Sequence, residues 1–166
     1  MRHLIAILLQ NEAGALTRVT GLISSRGYNI ESLSVAPTND PTVSRITLVT
    51  IGSDHVIGQI NAQLLKLVDV VSVEDMTSEY HLARELLLIK LQIPPEHIAA
   101  VETLLRRVGG KVLSSSPSSY IVELTSTETE IGEFIANVAA FGEIVEVVRS
   151  GVLGIARANP QLHAVK

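Results

Sequence analysis

"HLIAILLQNEAGALTRVTGLISSRGYNI", residues 3–30, changes its period twice within one short stretch. His3 to Leu9 is an unbroken aliphatic run of strand length, stopped by the polar pair Gln10-Asn11. From Leu16 the apolar residues Leu16, Val19, Leu22 and Ile23 recur at helical spacing, and Gly27 stands where a helix C′ residue belongs. The order is strand, loop, helix, then strand again from Ile30. Gly14 lies at the joint between the first strand and the helix.

The next residues extend this pattern. Ile30–Ala36 and Ser44–Ile51 are strand-like and flank "PTNDPT", a run of turn formers that predicts a hairpin with a long tip. Asp54 is placed to cap a helix carrying Ile57, Ile60, Leu64 and Leu67, and "VVSV" (Val70–Val73) is a short buried-strand candidate. Through about residue 77 the order is βαββαβ.

The second half repeats it. Glu85–Ile93 is a strand, and Pro95 precedes the helical stripe Ile98, Val101, Leu104, Leu105 and Val108, which stops at Gly109-Gly110. "KVLSSSPSSYIVELTS" supplies two strands around a Ser/Pro turn. Thr127 with Glu130 has capping-box spacing ahead of Ile131, Phe134, Ile135 and Val138; Gly142 is expected to end that helix, and Glu143–Val148 to close the pattern. Met76–Arg84 is the expected linker, and the tail from Ala156 is expected to fray.

The predicted fold is therefore α/β (α+β), with two ferredoxin-like βαββαβ units over residues 1–77 and 78–166. Right-handed crossovers put both helices of each unit on one sheet face. The opposite face needs cover from a second sheet or subunit, so a homo-oligomer is expected.

Composition narrows the function. The 166 residues carry a net charge of −4 with scattered Lys and Arg, which disfavours nucleic acid and anionic lipid as partners. No cysteine is present, so thiol catalysis and thiolate metal sites are excluded. The N-terminal apolar run is far shorter than the roughly 18 residues of a membrane span, and a soluble, cytoplasmic protein without a membrane anchor is expected. Two phenylalanines, three tyrosines and no tryptophan are too few for an RNA-stacking sheet.

Catalytic constellations are lacking. His3, His55, His81, His97 and His163 stand singly, with surface positions expected for most of them, and no residue set has the spacing of a metal site. Glu128 and Glu130 suit a helix start, Arg106 and Arg107 a helix end, without further chemistry. The joint at Asn11–Gly14 remains. A helix start with unpaired N–H groups and a residue lacking Cβ can receive a carboxylate, but Asn-x-x-Gly is equally a plain turn. Asn29 offers an amide or mere turn chemistry in the same way.

Taken together, Asn11-Glu12-x-Gly14-x-Leu16 and Arg26-Gly27-Tyr28-Asn29-Ile30-Glu31-Ser32 in a βαββαβ unit resemble the ACT domain, a small-molecule sensor of amino-acid metabolism. The run from Asn11 to Thr50 resembles, more narrowly, the regulatory (small) subunit of acetolactate synthase, and "VEVVRSGVLGIAR" resembles that subunit's second domain. The resemblance implies a chain with no catalytic centre that activates a large subunit carrying thiamine diphosphate, Mg²⁺ and FAD. It also implies feedback inhibition by a branched-chain amino acid, valine above all, bound between paired ACT domains of a homodimer. By the same resemblance the backbone of Gly14, Ala15 and Leu16 holds the effector carboxylate, Asn11 helps to fix the effector's polar end, Asn29 and Ile30 of the other protomer complete the site, and an apolar wall lies near Leu9 and Ile30. A stand-alone amino-acid sensor acting through another protein and a small acyl-phosphate hydrolase of ferredoxin-like fold are the competing readings.

Overall fold

A computed structural model describes residues 1–77, 81–117 and 119–157. The elements are β1 (Arg2–Gln10), α1 (Ala15–Ser25), β2 (Ile30–Pro37), β3 (Val43–Ile51), α2 (Asp54–Leu64), β4 (Val70–Asp75), β5 (His81–Gln92), α3 (Ile98–Val108), β6 (Lys111–Ser116), β7 (Ser119–Ser126), α4 (Glu128–Val138), β8 (Glu143–Arg149) and β9 (Leu153–Ala156). The chain divides into two compact units, Met1–Ala83 with Val152–Lys166, and Arg84–Gly151. Sheet orders are β2-β3-β1-β4 and β6-β7-β5-β8, with antiparallel neighbours throughout, so the expected α+β, doubled ferredoxin-like architecture is present.

In the first unit, alternate residues of β1 face opposite ways. Ile5, Ile7 and Leu9 join Ile46 and Leu48 of β3 against Ala15, Val19 and Ile23 of α1 and Ile57, Ile60 and Leu64 of α2. Both helices thus share one face. The other face of β1 is also buried, because Leu4 and Ala6 pack with Val49, Met76 and Val152. Burial on both faces explains why residues 3–9 read as a continuous apolar run.

This second cluster corrects the expected linker. Met76 is fully buried, the Thr77 hydroxyl accepts a hydrogen bond from Leu4 N at 3.0 Å, and His81–Arg84 already belong to β5; residues 78–80 lie outside the described set. A single methionine between polar residues has no periodicity, and so gives no sign of its burial in the sequence. Part of the cover expected from a second sheet or subunit is supplied by the chain itself, through Met76 and Val152. Arg45, half-buried, donates to Gly154 O at 2.9 Å; burial pulls its pKa down while Glu74 opposes that. A Cβ at Gly154 would strike Leu4 and Met76, so only glycine admits β9 this close to the sheet. The tail expected to fray begins inside β9 at Ala156; residues 158–166 lie outside the described set.

In the second unit Leu87, Ile89 and Leu91 of β5 pack with Val122 and Leu124 of β7 against Val101 and Leu105 of α3 and Ile131, Phe134 and Val138 of α4. Three boundary readings change. Ser53, not Asp54, is the N-cap of α2, and Asp54 is its first-turn acid. Pro95 opens a 3-10 turn, Pro95–His97, that precedes α3. Gly142 does not end α4, which stops at Val138; a Cβ there would collide with the backbone of Gln92, so the glycine permits a close approach to β5.

The capping box of α4 is present. Glu130 accepts from the Ser126 hydroxyl and from both the hydroxyl and N–H of Thr127, and Glu130 N donates back to Thr127 Oγ1 at 3.3 Å. These bonds, with a smaller contribution from Arg84, lower its pKa from 4.5 to about 2. The folded state therefore gains from ionised Glu130 above pH 4.5 and loses that gain as pH falls from 4.5 towards 2. Glu130→Gln is expected to flatten this part of the acid-unfolding profile, and Thr127→Ala to cost about 1 kcal/mol at neutral pH, both read by urea titration.

Candidate functional site

The strand-to-helix joint is tied down by three hydrogen bonds. Gln10 N donates to Asp69 O at 2.7 Å, Asn11 N to Thr42 O at 2.7 Å, and the Asn11 amide to Pro41 O at 3.1 Å. The β2–β3 hairpin tip and the α2–β4 turn are thereby fastened to the loop. Gly14, the N-cap of α1, has φ 83° and ψ −7°, in the left-handed region where glycine is favoured.

Its helix begins without a side-chain cap. Ala15 N donates to Glu12 O at 3.1 Å and Arg18 N to Gly14 O at 3.0 Å, whereas the N–H groups of Gly14 and Leu16 find no partner among the described residues. Ala15 is 2% exposed and its side chain packs in the core; Leu16 is 37% exposed. Two unpaired N–H groups beside a Cβ-free residue at the positive end of a helix can receive an anion.

A residue pair that the sequence reading passed over completes the loop. Arg18 donates from Nε to Asp69 Oδ2 at 2.5 Å and from Nη2 to Asp69 Oδ1 at 2.9 Å. Hydrogen bonding between them holds the Asp69 carboxyl below, and the Arg18 guanidinium above, its ordinary pKa. Arg18 lies four positions after Gly14 on the same helix face, and Asp69 is a lone acid in the apolar run "LVDVV". Those were the available signals; their pairing, 51 positions apart, was not.

The structure does not bring all the sequence-predicted residues together. Asn11, Gly14, Ala15 and Leu16 lie at the Gln10 end of β1, whereas Ile30 pairs with Thr50, which pairs with His3 at the other end. Seven strand residues separate the two ends of β1, roughly 23 Å at 3.3 Å each. Asn29 and Ile30 of the same chain therefore do not reach the Gly14 loop. Asn29 O accepts from the buried Thr50 hydroxyl at 2.7 Å, which fixes the start of β2. Leu9 is 2% exposed, deep in the first core, and offers no surface as an apolar wall.

His3 departs from the expected surface position. It is 3% exposed, with Nδ1 3.3 Å from both Asp75 Oδ2 and Thr77 Oγ1, and joins β1 to the end of β4. Among the described residues no group of three His, Asp or Glu side chains could hold a metal ion, and no helix is long and apolar enough to cross a membrane.

The second unit has a cavity of about 380 Å³ at the topologically equivalent place, lined by Gln92, Ile93, Pro94, Pro95, Pro117, Gly142 and Glu143. Prolines have no N–H, and Glu143 is an acid. That cavity lacks the chemistry of the Gly14 loop.

Residues 5–72 match the family described as the AHAS small subunit-like ACT domain, and residues 84–158 the family described as the small subunit of acetolactate synthase. The chain is 45% identical over 159 residues to the acetolactate synthase isozyme 3 small subunit of Escherichia coli, covering 96% of this chain and 98% of that one. This chain belongs to the acetolactate synthase small-subunit family. It is 38% identical to the probable acetolactate synthase small subunit of Archaeoglobus fulgidus, covering 96% of this chain and 99% of that one. The crystal structure of the acetolactate synthase small subunit from Thermotoga maritima superposes with a TM-score of 0.88 at 30% identity, covering 96% of this chain and 99% of that one. Members of this family are small, regulatory subunits of branched-chain amino acid biosynthesis that associate with the large subunit and are not themselves catalytic.

Proposed function

We propose that this chain activates the acetolactate synthase catalytic subunit and confers feedback inhibition by a branched-chain amino acid, valine above all. The observation that carries the reading is the uncapped start of α1, where Gly14 and Leu16 present free N–H groups at a residue with positive φ. Such a start suits the carboxylate of an amino acid. Asn11, through the side-chain Oδ1 left free by its bond to Pro41, would take the amino end. Ala15 contributes packing rather than an N–H. Thiamine diphosphate, Mg²⁺ and FAD would be held by the catalytic subunit, with this chain binding no cofactor.

The site would be completed by a second copy. β2 is an edge strand, and antiparallel pairing of two such edges places residue 30 of one copy opposite the Pro37 end of the other. This arrangement would bring the second copy's Asn29 and Ile30 to the Gly14 end, which its own pair cannot reach. Residues 1–77 would then be the effector-binding, dimerising domain and residues 78–166 the second domain. Inhibition requires valine to bind the active and inhibited holoenzymes with different affinity, a coupling on the order of 1–3 kcal/mol.

Mixing the purified chain with its catalytic subunit tests the reading. The chain alone is expected to make no acetolactate, to raise the partner's rate severalfold, and to make that rate sensitive to valine. Acetolactate formation by the chain alone, or a partner rate unaffected by it, would refute the assignment. A mixed dimer of Gly14→Asp and Asn29→Ala chains, whose two defects converge on one composite site, is expected to retain the other of its two valine sites; retention of neither would argue against a shared site.

A further inference from the structure

Resting on the effector site proposed above, we infer that Arg18 is a specificity-determining residue of that site, contacting the effector carboxylate through Nη1 while Asp69 holds the rest of the guanidinium. Nε and Nη2 are both committed to the Asp69 carboxylate, which is 7% exposed at the side chain. The remaining nitrogen, Nη1, lies 3.0 Å from the position a Cβ on Gly14 would occupy. It therefore stands over the one backbone point where the loop has no side chain, next to the free N–H groups of Gly14 and Leu16.

The fork matters more than the charge. Asp69 neutralises Arg18 at long range, so the pair adds little net attraction for an anion; it adds a donor whose direction is fixed before the effector arrives. A planar guanidinium that spends one edge on a buried carboxylate still has N–H groups for a second acceptor. An ammonium has no such divided geometry: a lysine at position 18 could keep the ion pair with Asp69 without placing a second nitrogen over Gly14. Asp69 is itself fixed, since its carbonyl accepts from Gln10 N at 2.7 Å. The donor is thus referenced to β1, to α1 and to the α2–β4 turn at once.

This assigns the pair a role distinct from bracing the turn, and the two roles separate experimentally. Arg18→Lys and Arg18→Gln chains are assembled with the catalytic subunit, and the L-valine inhibition midpoint is read against each variant's own uninhibited rate, with the melting temperature of each chain measured in parallel. A contact through Nη1 predicts a midpoint raised roughly 10- to 100-fold in both variants, the range of one lost hydrogen bond to a charged group. Arg18→Lys should show this with a melting temperature close to that of the parent. A lysine variant whose midpoint stays within about twofold of the parent would overturn the inference and leave Arg18 as a brace. Valine inhibition of the parent holoenzyme is the control: its absence would defeat the effector site as a whole, whereas its presence with an unchanged lysine variant would defeat only the role of Arg18.

Discussion

Replacing Gly14 by aspartate is expected to weaken inhibition by valine severely. The new carboxylate would stand beside Arg18 Nη1, whose distance to a Cβ at this position is 3.0 Å, and in front of the free N–H groups of Gly14 and Leu16. It would occupy the place proposed for the effector's own carboxylate. Two like charges about 4 Å apart at an effective dielectric of 20 repel by about 4 kcal/mol, and partial screening at a surface loop leaves about 2–3 kcal/mol, enough to raise the midpoint 30- to 150-fold. The backbone adds a second consequence. A loop of unknown φ would accept aspartate freely, but φ at Gly14 is +83°, so any side chain there costs about 1–2 kcal/mol, with aspartate near the low end. Gly14→Ala is the matching control, because it bears the backbone cost without the charge. Inhibition titrations of the two holoenzymes should differ by at least tenfold in midpoint. Equal midpoints would assign the effect to backbone strain, and a parent-like midpoint in Gly14→Asp would make the joint only a turn.

A feature of this fold is legible in the sequence when it is local. The eight strands and four helices of the two βαββαβ units follow from periods of two and 3.6 and from local stops such as Gly27 and Gly109, both at φ 76°. The capping box of α4 sits within four residues and was equally legible. β9 was not, because "LGIA" is too short to show a period, and its place depends on Arg45 and Met76, residues distant in sequence. Gly142 has the same cause: a glycine after a helix looks like a stop, and only its distance from the Gln92 backbone reveals a packing role. At the candidate site, Asn11 and Gly14 announce themselves by residue type and spacing. Arg18 and Asp69 do not, since an arginine on a helix and an acid in a turn are ordinary until the fold brings them to 2.5 Å. Likewise, the separation of Asn29 from Gly14 is a fact of strand register, and no property of either residue contains it.

The second unit should be far more sensitive to loss of Arg149 than to loss of Glu85, although the two form one ion pair. Glu85 lies on β5 with 3% of its side chain exposed, and Arg149 at the end of β8 donates to it twice, Nε to Oε1 at 2.9 Å and Nη2 to Oε2 at 2.6 Å. That pairing raises the Arg149 pKa, chiefly through the hydrogen bonds to Glu85. The arginine side chain is 37% exposed and lies 3.9 Å from Glu128, so without Glu85 it keeps both solvent and an acidic neighbour. Glu85 has no such recourse. Arg149→Leu would strand a buried carboxylate, a loss of about 3–5 kcal/mol for a fully enclosed pair and about 2–3 kcal/mol here, discounted for the exposed guanidinium. Glu85→Leu removes the buried charge and replaces it with an apolar side chain, so its cost should stay below about 1 kcal/mol. Urea denaturation of both variants at neutral pH should show the arginine variant losing at least about 1 kcal/mol more than the glutamate variant. Equal losses in the two variants would mean that Glu85 reaches water when unpaired and that the pair is not a buried one in energetic terms.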